Sequence, residues 1–179
     1  MEFKELIEAR RSIRSYKPDT TVSKEQIEEI IAAAQEAPTW KNSQTGRYYV
    51  LLDPEKKADV ISSCLPDFNQ KNCVNAPALI ITTFVKTRSG FERDGNPTNE
   101  LGDEWGAYDL GLQNAYFILK AKDMGLDTLI MGIRDADALR EKLEIPENEE
   151  VVAVISLGYR DGDAPRPKRK ETEAITKIF

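Results

Sequence analysis

The sequence predicts an α+β layer fold, in which helices cover a sheet within one domain. Two observations favour this class. Predicted strands and helices alternate irregularly along the 179 residues, and the chain has no glycine fingerprint of a dinucleotide-binding fold, because Gly125 and Gly132 stand too far apart. A doubly wound parallel sheet is therefore disfavoured. We expect a single domain over residues 1–179, since 40% hydrophobic and 31% charged residues are ordinary for a globular protein.

Two helices are predicted at the start of the chain. The first covers residues 2–15, where apolar residues recur at helical spacing. The second begins at Ser23, which forms a capping box with Gln26, and it stops at Ala37-Pro38. A polar segment, Thr39 to Gln44, follows and is called the polar loop below. A loop this polar between packed elements can hold a ligand.

The remaining elements are strands and helices in mixed order. The predicted strands, rich in branched and aromatic residues, are 47–53, 76–84, 126–133 and 151–158. The predicted helices are 54–64, 103–124 and 136–143. The long helix 103–124 is apolar nearly all round, so it must be surrounded by its own domain or by a second subunit. Residues 86–103 form a polar stretch with glycine and proline, called the excursion below, which is typical of a lid or of disorder.

Composition removes several kinds of chemistry. The chain has no histidine, which excludes histidine general bases and nucleophile pairs and argues against a metal site, so no metal ligand is predicted. Cys64 and Cys73 lack any ligand or disulfide pattern, and we interpret them as reduced structural residues. A bound organic cofactor is then the economical source of reactive groups.

The charge balance predicts partners and location. A net charge of -6 argues against broad nucleic-acid binding. The apolar runs are too short to cross a bilayer and the start resembles no leader, so we expect a cytoplasmic protein without a membrane partner. Residues 160–179, called the basic arm below, contain the run Arg166 to Lys170. This run fits a solvated linker, a nucleic-acid or targeting patch, or half of a phosphate site, and residues 174–179 alternate as an edge strand does.

The segment with the most chemical content is Arg10-Arg11-Ser12-Ile13-Arg14, called the arginine segment below. If the first helix continues through it, Arg10 and Arg14 extend the apolar stripe of Phe3 and Ile7. An unpaired buried charge is costly, whereas a phosphate accepts two parallel charge-assisted hydrogen bonds from one guanidinium. The segment therefore fits an anion site. The alternative is a solvated last turn with favourable cations.

Taken in order, these pieces resemble the FMN-dependent nitroreductase family. The motifs that carry the resemblance are Arg10 to Tyr16, Ala37 to Gln44, Ala76 to Ile81, Asp109-Leu110-Gly111, Gly125-Leu126, Met131-Gly132-Ile133, and Leu157-Gly158-Tyr159 followed by the basic run. The resemblance implies a layered fold with a mainly antiparallel central sheet flanked by helices. It also implies an intertwined homodimer with exchanged C-terminal extensions and an FMN groove on each side of the subunit interface.

The resemblance further implies which residues hold FMN. The contacts expected at the phosphate and ribityl chain are Arg10, Arg11, Ser12, Arg14 and one of Lys168 and Arg169. The contacts expected from the partner subunit on the flavin are Pro38, Thr39, Trp40 and Asn42. The contacts expected at the pyrimidine edge and the ring are Asn69, Lys71, Met131 and Gly132, the last two through backbone groups. A cation such as Lys71 would stabilise the reduced, anionic flavin.

The implied activity is that of an NAD(P)H-dependent flavin oxidoreductase. NADH or NADPH would give a hydride to FMN and leave, and a small electron-poor acceptor such as a nitroaromatic or a quinone would take its place in a ping-pong cycle. No protein nucleophile is needed, so no catalytic side chain is predicted. The chain departs from the family after the polar loop, where Thr45-Gly46-Arg47 replaces the usual Pro-Trp. We expect the excursion, with Arg88, Phe91 and Arg93, to shape the substrate pocket.

Other functions stay open at this point. A flavin-binding sensor or carrier on the same fold predicts a yellow dimer whose flavin NADH and NADPH reduce only slowly. An interaction protein whose basic arm binds nucleic acid or an acidic partner predicts a colourless protein with salt-dependent binding. Among enzymes, reductive dehalogenation and dehydrogenation are related flavin chemistries.

Overall fold

The computed structural model describes residues 1–179 as six helices packed on a four-stranded sheet. The strands are β1 (Gly46–Leu51), β2 (Ala78–Val85), β3 (Asp127–Met131) and β4 (Glu149–Gly158). The helices are α1 (Phe3–Ala9), α2 (Lys24–Gln35), α3 (Pro54–Cys64), α4 (Asp67–Asn72), α5 (Glu104–Asp123) and α6 (Ala136–Leu143). The predicted α+β class is confirmed.

The strands lie in the order β1-β2-β4-β3, and every neighbouring pair is antiparallel. The inner strands β2 and β4 are buried along almost their whole length because helices cover both faces. β1 and β3 are the two edges. One row across the sheet consists of Leu51, Leu79, Ser156 and Leu129. The end of β1 therefore lies level with the middle of β3, whereas the start of β1 lies beyond the last residue of β3.

Side chains alternate between two hydrophobic clusters, one on each face of the sheet. On one face, Leu79 and Ile81 pack with side chains of α3 and α6 in a cluster of 13 buried residues. On the other face, Ile80 packs with side chains of α2 and α5 in a cluster of 11 buried residues. The molecule therefore has three layers, and no helix in it has the length and hydropathy that a bilayer span requires.

The first predicted helix is too long. Helix α1 ends at Ala9, and Arg10 already has an extended backbone with φ -64° and ψ 131°. Ser12 forms a parallel β-bridge with Thr128, and the Ile13 amide donates to the Thr128 carbonyl over 3.0 Å. The arginine segment is thus extended, and the prediction that its arginines continue a helical apolar stripe is wrong. The physical reason is burial, because the extended path puts Ile13 and Tyr16 into a small core cluster, 3% and 1% exposed.

Local signals predicted the other helices well. The capping box of α2 is confirmed, since the Gln26 amide donates to Ser23 Oγ over 3.2 Å and the Ser23 amide to Gln26 Oε1 over 3.0 Å. The predicted helix 103–124 is confirmed within one residue at each end. Its apolar character is only partial, because Tyr108 and Tyr116 are exposed while polar Gln113 is buried.

Two further predictions differ from the structure. Helix α4 was not predicted, because its six residues are mostly polar and only Asn69 is buried. Residues 174–179 do not extend the sheet of their own chain, and they are exposed throughout. The interpretation of both cysteines as reduced structural residues is confirmed, since Cys64 and Cys73 are free and buried.

Candidate functional site

An ion-pair network fixes the position of the arginine segment. Asp127, at the start of β3, is buried and accepts hydrogen bonds from Arg160 Nε over 2.7 Å and from Arg160 Nη2 over 2.6 Å. Lys122 Nζ lies 3.2 Å from the same carboxylate. Arg160 Nη2 also donates to the carbonyl of Ala9, the last residue of α1, over 3.3 Å. These bonds to Asp127 raise the pKa of Arg160. One guanidinium therefore joins the end of α1 to the start of β3.

The arginines of the segment itself have no carboxylate partner. The ion pairs of the chain involve neither Arg10, Arg11 nor Arg14. The Arg11 side chain donates to the carbonyls of Glu8 and Arg10, but its buried Nε has no partner. Burial, and then the positive charges of Arg169 and Arg11, lower the pKa of Arg10. Crowded cations of this kind are stabilised by an anion that accepts forked hydrogen bonds.

The basic arm returns to the same place within one chain. The Lys17 amide donates to the Tyr159 carbonyl over 2.9 Å, and the Asp161 amide donates to the Ser15 carbonyl over 2.9 Å. Further along, Arg169 is close enough to Arg10 to depress its pKa. Of the two predicted arm contacts, Arg169 is therefore the one whose charge acts on Arg10. Lys168 is exposed and forms no hydrogen bond.

The free edge of β3 leads from the arginine segment to the predicted ring contacts. The Thr128 carbonyl faces this edge, because it accepts the Ile13 amide. By the two-residue alternation of a strand, the peptide groups of Ile130 and Gly132 face the same edge. Thr128 and Gly132 are about 13 Å apart at the rise of an extended chain. The edge therefore offers peptide groups to a ligand whose anionic end lies at the arginines.

The predicted ring contacts divide into buried and exposed residues. Asn69 is buried, and its Nδ2 donates to the Ile133 carbonyl over 2.9 Å, which brings it beside Gly132. The Met131 side chain is in the core, where Cys73 Sγ lies 3.8 Å from its sulfur. Met131 can therefore offer only its backbone to a ligand at the edge. Lys71 is exposed in the last turn of α4.

The polar loop is held by a buried carboxylate that the sequence did not single out for this role. Asp109 Oδ2 accepts hydrogen bonds from the Trp40 amide over 2.9 Å and from Ser89 Oγ over 2.7 Å. Ser43 Oγ lies 2.7 Å from Ser89 Oγ. Asp109 is buried without a cation beside it, so neutral donors alone compensate its charge. The signal that could have indicated this role is an acidic residue on an otherwise apolar helix.

The backbone of the polar loop is unusual. Lys41, Asn42 and Gln44 all have left-handed conformations, with φ of 46°, 56° and 48°. Non-glycine residues pay an energetic cost for this conformation, and such residues concentrate at ligand sites. Trp40 packs against Trp105 with ring centroids 4.7 Å apart, and its buried Nε1 has no hydrogen-bond partner. Among the other predicted contacts in this region, Pro38 is exposed and Thr39 Oγ1 accepts the Gln44 amide over 3.1 Å.

The predicted FMN contacts thus form two groups at opposite corners of the molecule. The polar loop bonds to Asp109 near the start of α5, whereas Met1, two residues before α1, donates from its N-terminus to Asp123 at the end of α5 over 2.8 Å. The helical rise separates Asp109 from Asp123 by about 21 Å. The edges β1 and β3 are about 14 Å apart at the usual strand spacing. A single chain does not bring the two groups together.

Comparison with known proteins gives the family. A sequence model of the nitroreductase family matches residues 7–159. This chain belongs to the nitroreductase family. A relative from Archaeoglobus fulgidus, provisionally named NADH dehydrogenase/NAD(P)H nitroreductase, is 32% identical over 163 residues, which cover 86% of this chain and 83% of the relative. The nitroreductase family is one of oxidoreductases, so the predicted enzyme class is confirmed.

Solved structures confirm the nitroreductase fold. A nitroreductase family protein from Clostridium difficile is 26% identical, with a TM-score of 0.79 over 99% of this chain and 98% of that chain. A provisionally named nitroreductase from Exiguobacterium sibiricum, solved in complex with FMN, is 22% identical, with a TM-score of 0.88 over 99% of this chain and 97% of that chain. The antiparallel sheet and its flanking helices are therefore those of the family.

Proposed function

We propose that this protein is an FMN-dependent NAD(P)H oxidoreductase that works as a homodimer and reduces small electron-poor molecules such as nitroaromatics or quinones. The observation that carries the proposal is the group of cations Arg10, Arg11 and Arg14, which flanks the bridge between Ser12 and Thr128 of β3 without a carboxylate partner, together with the charge of Arg169 that acts on Arg10. The names of the relatives, which include an NAD(P)H nitroreductase and a complex with FMN, support it.

The residues present fit FMN. The cofactor has a dianionic phosphate at one end, a flexible polyol chain, and a flat ring with polar edges at the other end. The arginine segment offers guanidinium groups without a carboxylate partner and a buried, unpartnered Nε of Arg11 for the phosphate. The β3 edge offers peptide groups at Ile130 and Gly132, and Asn69 stands beside Gly132. The spacing of about 13 Å along this edge suits a ligand of that length.

In this proposal the chain's own residues bind, orient and stabilise, and no side chain acts as a nucleophile. FMN, when bound, would supply the hydride transfer from NADH or NADPH to the acceptor in a ping-pong cycle. Arg10, Arg11 and Arg14 bind the phosphate and Ser12 donates a hydrogen bond, with Arg169 rather than Lys168 completing the site. Lys71 stabilises negative charge at the ring.

The homodimer is the part of the proposal that would unite the two groups of contacts. Pro38, Thr39, Trp40 and Asn42 of one subunit would contact the flavin held by the arginine segment of the other. Apolar side chains exposed in the single chain support such an interface. They lie along a groove of about 550 Å³ between α1 and α5 and in the tail, and include Phe3, Tyr116, Ile175, Ile178 and Phe179. Exchange of residues 160–179 between subunits would cover apolar surface that otherwise faces water.

The remaining predictions about organisation fit this proposal. We expect one domain over residues 1–179, with the excursion as a lid over the substrate pocket, and we expect the enzyme in the cytoplasm. The excursion contains no helix or strand from Lys86 to Asp103; a β-bridge between Phe91 and Pro97 and turn hydrogen bonds, such as that from the Thr98 amide to the Gly90 carbonyl, hold it together.

A spectrum and a solution mass test the proposal. The purified protein, reconstituted with FMN, should be a yellow dimer, and anaerobic addition of NADH or NADPH should bleach the flavin absorbance. A nitroaromatic or quinone added afterwards should restore it. A colourless monomer after reconstitution would contradict the proposal. A yellow dimer whose flavin neither nucleotide reduces would instead support a sensor or carrier.

A further inference from the structure

A polar cavity of about 630 Å³ lies between the polar loop and the excursion, away from the arginine segment. Two short stretches of chain line it, residues 40–43 and residues 87–95. The side chains that matter for the argument are Trp40, Lys41, Arg88, Phe91, Glu92 and Arg93. Neither the hydride chemistry nor the phosphate site described above uses these cations.

The charges in this cavity are unbalanced. Lys41 Nζ forms an ion pair with Glu92, 3.1 Å from Oε1 and 3.3 Å from Oε2, so these two charges cancel. Arg88 and Arg93 are exposed, and the ion pairs of the chain involve neither of them. The cavity therefore carries two uncompensated positive charges, which match the charge of a phosphate monoester. Guanidinium groups recognise this anion with paired hydrogen bonds.

The cavity also has aromatic walls and a defined position relative to the proposed active site. Trp40 and Phe91 line it, and their rings can pack against a flat heterocycle. Trp40 also belongs to the polar loop, which would contact the flavin. A ligand in this cavity would therefore reach the flavin with its other end.

We propose that this cavity binds the adenosine 2′-phosphate of NADPH, with Arg88 and Arg93 on the phosphate, and that the enzyme consequently prefers NADPH to NADH. This inference rests on the proposed function, because it names the hydride donor of the same site. NADH differs from NADPH only in lacking this phosphate, so it would leave both guanidinium groups unpartnered. The preference is thereby assigned to residues of the excursion, the segment expected to shape the substrate pocket.

Calorimetry with 2′,5′-ADP and 5′-AMP tests the site without any turnover. The two probes differ only in the 2′-phosphate. On FMN-loaded protein, 2′,5′-ADP should bind at least about tenfold more tightly than 5′-AMP, the lower range for hydrogen bonds to a charged group. Arg88→Ala combined with Arg93→Ala should remove this difference, whereas Lys56→Ala, which deletes an exposed cation on α3, should keep it. Equal affinity for the two probes in the parent protein overturns the proposal.

Glu92→Gln tests whether positive charge in the cavity strengthens binding of 2′,5′-ADP. This change frees Lys41 and raises the net charge of the cavity, so 2′,5′-ADP should bind several-fold more tightly and the gain should shrink as salt increases. Unchanged or weaker binding would contradict the assignment. Because this variant strengthens binding, a damaged fold cannot imitate the expected result.

Two variants that each lose one ligand and keep the other separate this inference from the proposed function. Arg10→Ala should weaken FMN binding and leave 2′,5′-ADP binding unchanged, whereas the Arg88→Ala, Arg93→Ala variant should bind FMN normally and lose 2′,5′-ADP. In turnover, the double variant should lower the ratio of kcat/KM for NADPH to kcat/KM for NADH by at least about tenfold. If FMN does not bind, the proposed function fails. If the ratio and the probe affinities are the same in parent and double variant, this inference fails alone.

Discussion

The arginine segment and the polar loop are held in place by different kinds of interaction. At the arginine segment, a buried carboxylate, Asp127, bonds to two cations, and one of them also holds the last carbonyl of α1. At the polar loop, a buried carboxylate, Asp109, bonds only to a backbone amide and to serine hydroxyls. Ion pairs therefore hold the arginine segment in place, whereas neutral hydrogen-bond donors hold the polar loop.

The difference fits what each region would bind. In the first region Arg160 and Lys122 serve the scaffold, which leaves the arginines of the segment free for an anion. At the polar loop, Asp109 is paired with no arginine. It accepts hydrogen bonds from neutral groups, and the loop that they hold would present Trp40 to an uncharged ring. The cations of a binding site and the cations that position it are thus separate residues, and substitutions can distinguish them.

The largest effect is expected when the charged scaffold is broken. Asp127→Asn leaves Arg160 and Lys122 without a partner, and it should lower the free energy of unfolding by about 3 kcal/mol, the lower end for breaking a buried ion pair. Denaturation in urea measures it. Asp59→Asn is the matched control, because Asp59 is 56% exposed and pairs with Lys142 at 2.8 Å, and it should cost at most about 1 kcal/mol. Equal losses in the two variants would show that Asp127 has no scaffold role.

The next effect concerns ligand affinity rather than stability. Arg10→Ala should weaken FMN binding by about 1.5 to 3 kcal/mol, the range for hydrogen bonds to a charged group. The stability of the FMN-free protein should stay the same or rise, because burial and the neighbouring arginines already disfavour the charge of Arg10. Titration by flavin fluorescence gives the affinity, with Lys4→Ala on α1 as control. An unchanged FMN affinity would remove Arg10 from the site.

A smaller effect is expected at the neutral scaffold. Asp109→Asn replaces the charged oxygen that the Trp40 amide and Ser89 Oγ share by a neutral one, so both hydrogen bonds become weaker. We expect a loss of about 1 to 2 kcal/mol in the free energy of unfolding and a change in tryptophan fluorescence, since Trp40 packs on Trp105. Ser89→Ala, which removes one donor, should have the milder effect. A loss as large as that of Asp127→Asn would contradict the distinction between the two scaffolds.

The smallest effect is a pH dependence of stability that arises from Cys73, which packs against Met131 of β3. Burial raises the pKa of the Cys73 thiol to about 12, whereas an unfolded chain releases this proton near pH 8.5. Between these values the folded state holds a proton that the unfolded state has lost, so the free energy of unfolding should fall as pH rises above about 8.5. Comparison with Cys73→Ala isolates the contribution. At pH 8 the folded protein should resist iodoacetamide at Cys73, and rapid alkylation there would show that β3 opens readily.

Elements with a signal inside their own sequence were predicted closely. Ser23 and Gln26 close the start of α2, and Asp53 with Pro54 begins α3 at the predicted residue. Each of these caps acts over three or four residues, so no distant part of the chain is needed to recognise it. For the same reason the predicted α6 has its observed bounds, Ala136–Leu143.

Elements that depend on distant partners were not predicted correctly. Helical spacing continues past Ala9, yet the chain leaves the helix because Ser12 and Ile13 bond to Thr128. Helix α4 has little apolar pattern of its own, and its buried Asn69 donates to the distant Ile133 carbonyl over 2.9 Å. Both outcomes follow from contacts that no local window contains.

The sequence by itself determined the family, the α+β class, most helix bounds and the identity of the cations that would bind a phosphate, because caps, periodicity and charge are local properties. Only the tertiary structure decided which cations are free. Arg160 and Arg10 carry the same side chain, but burial of Asp127 beside Arg160 commits the first to the scaffold and leaves the second without a partner. The arrangement of carboxylates around each guanidinium is a property of the fold, and it separates a structural charge from one that can bind a ligand.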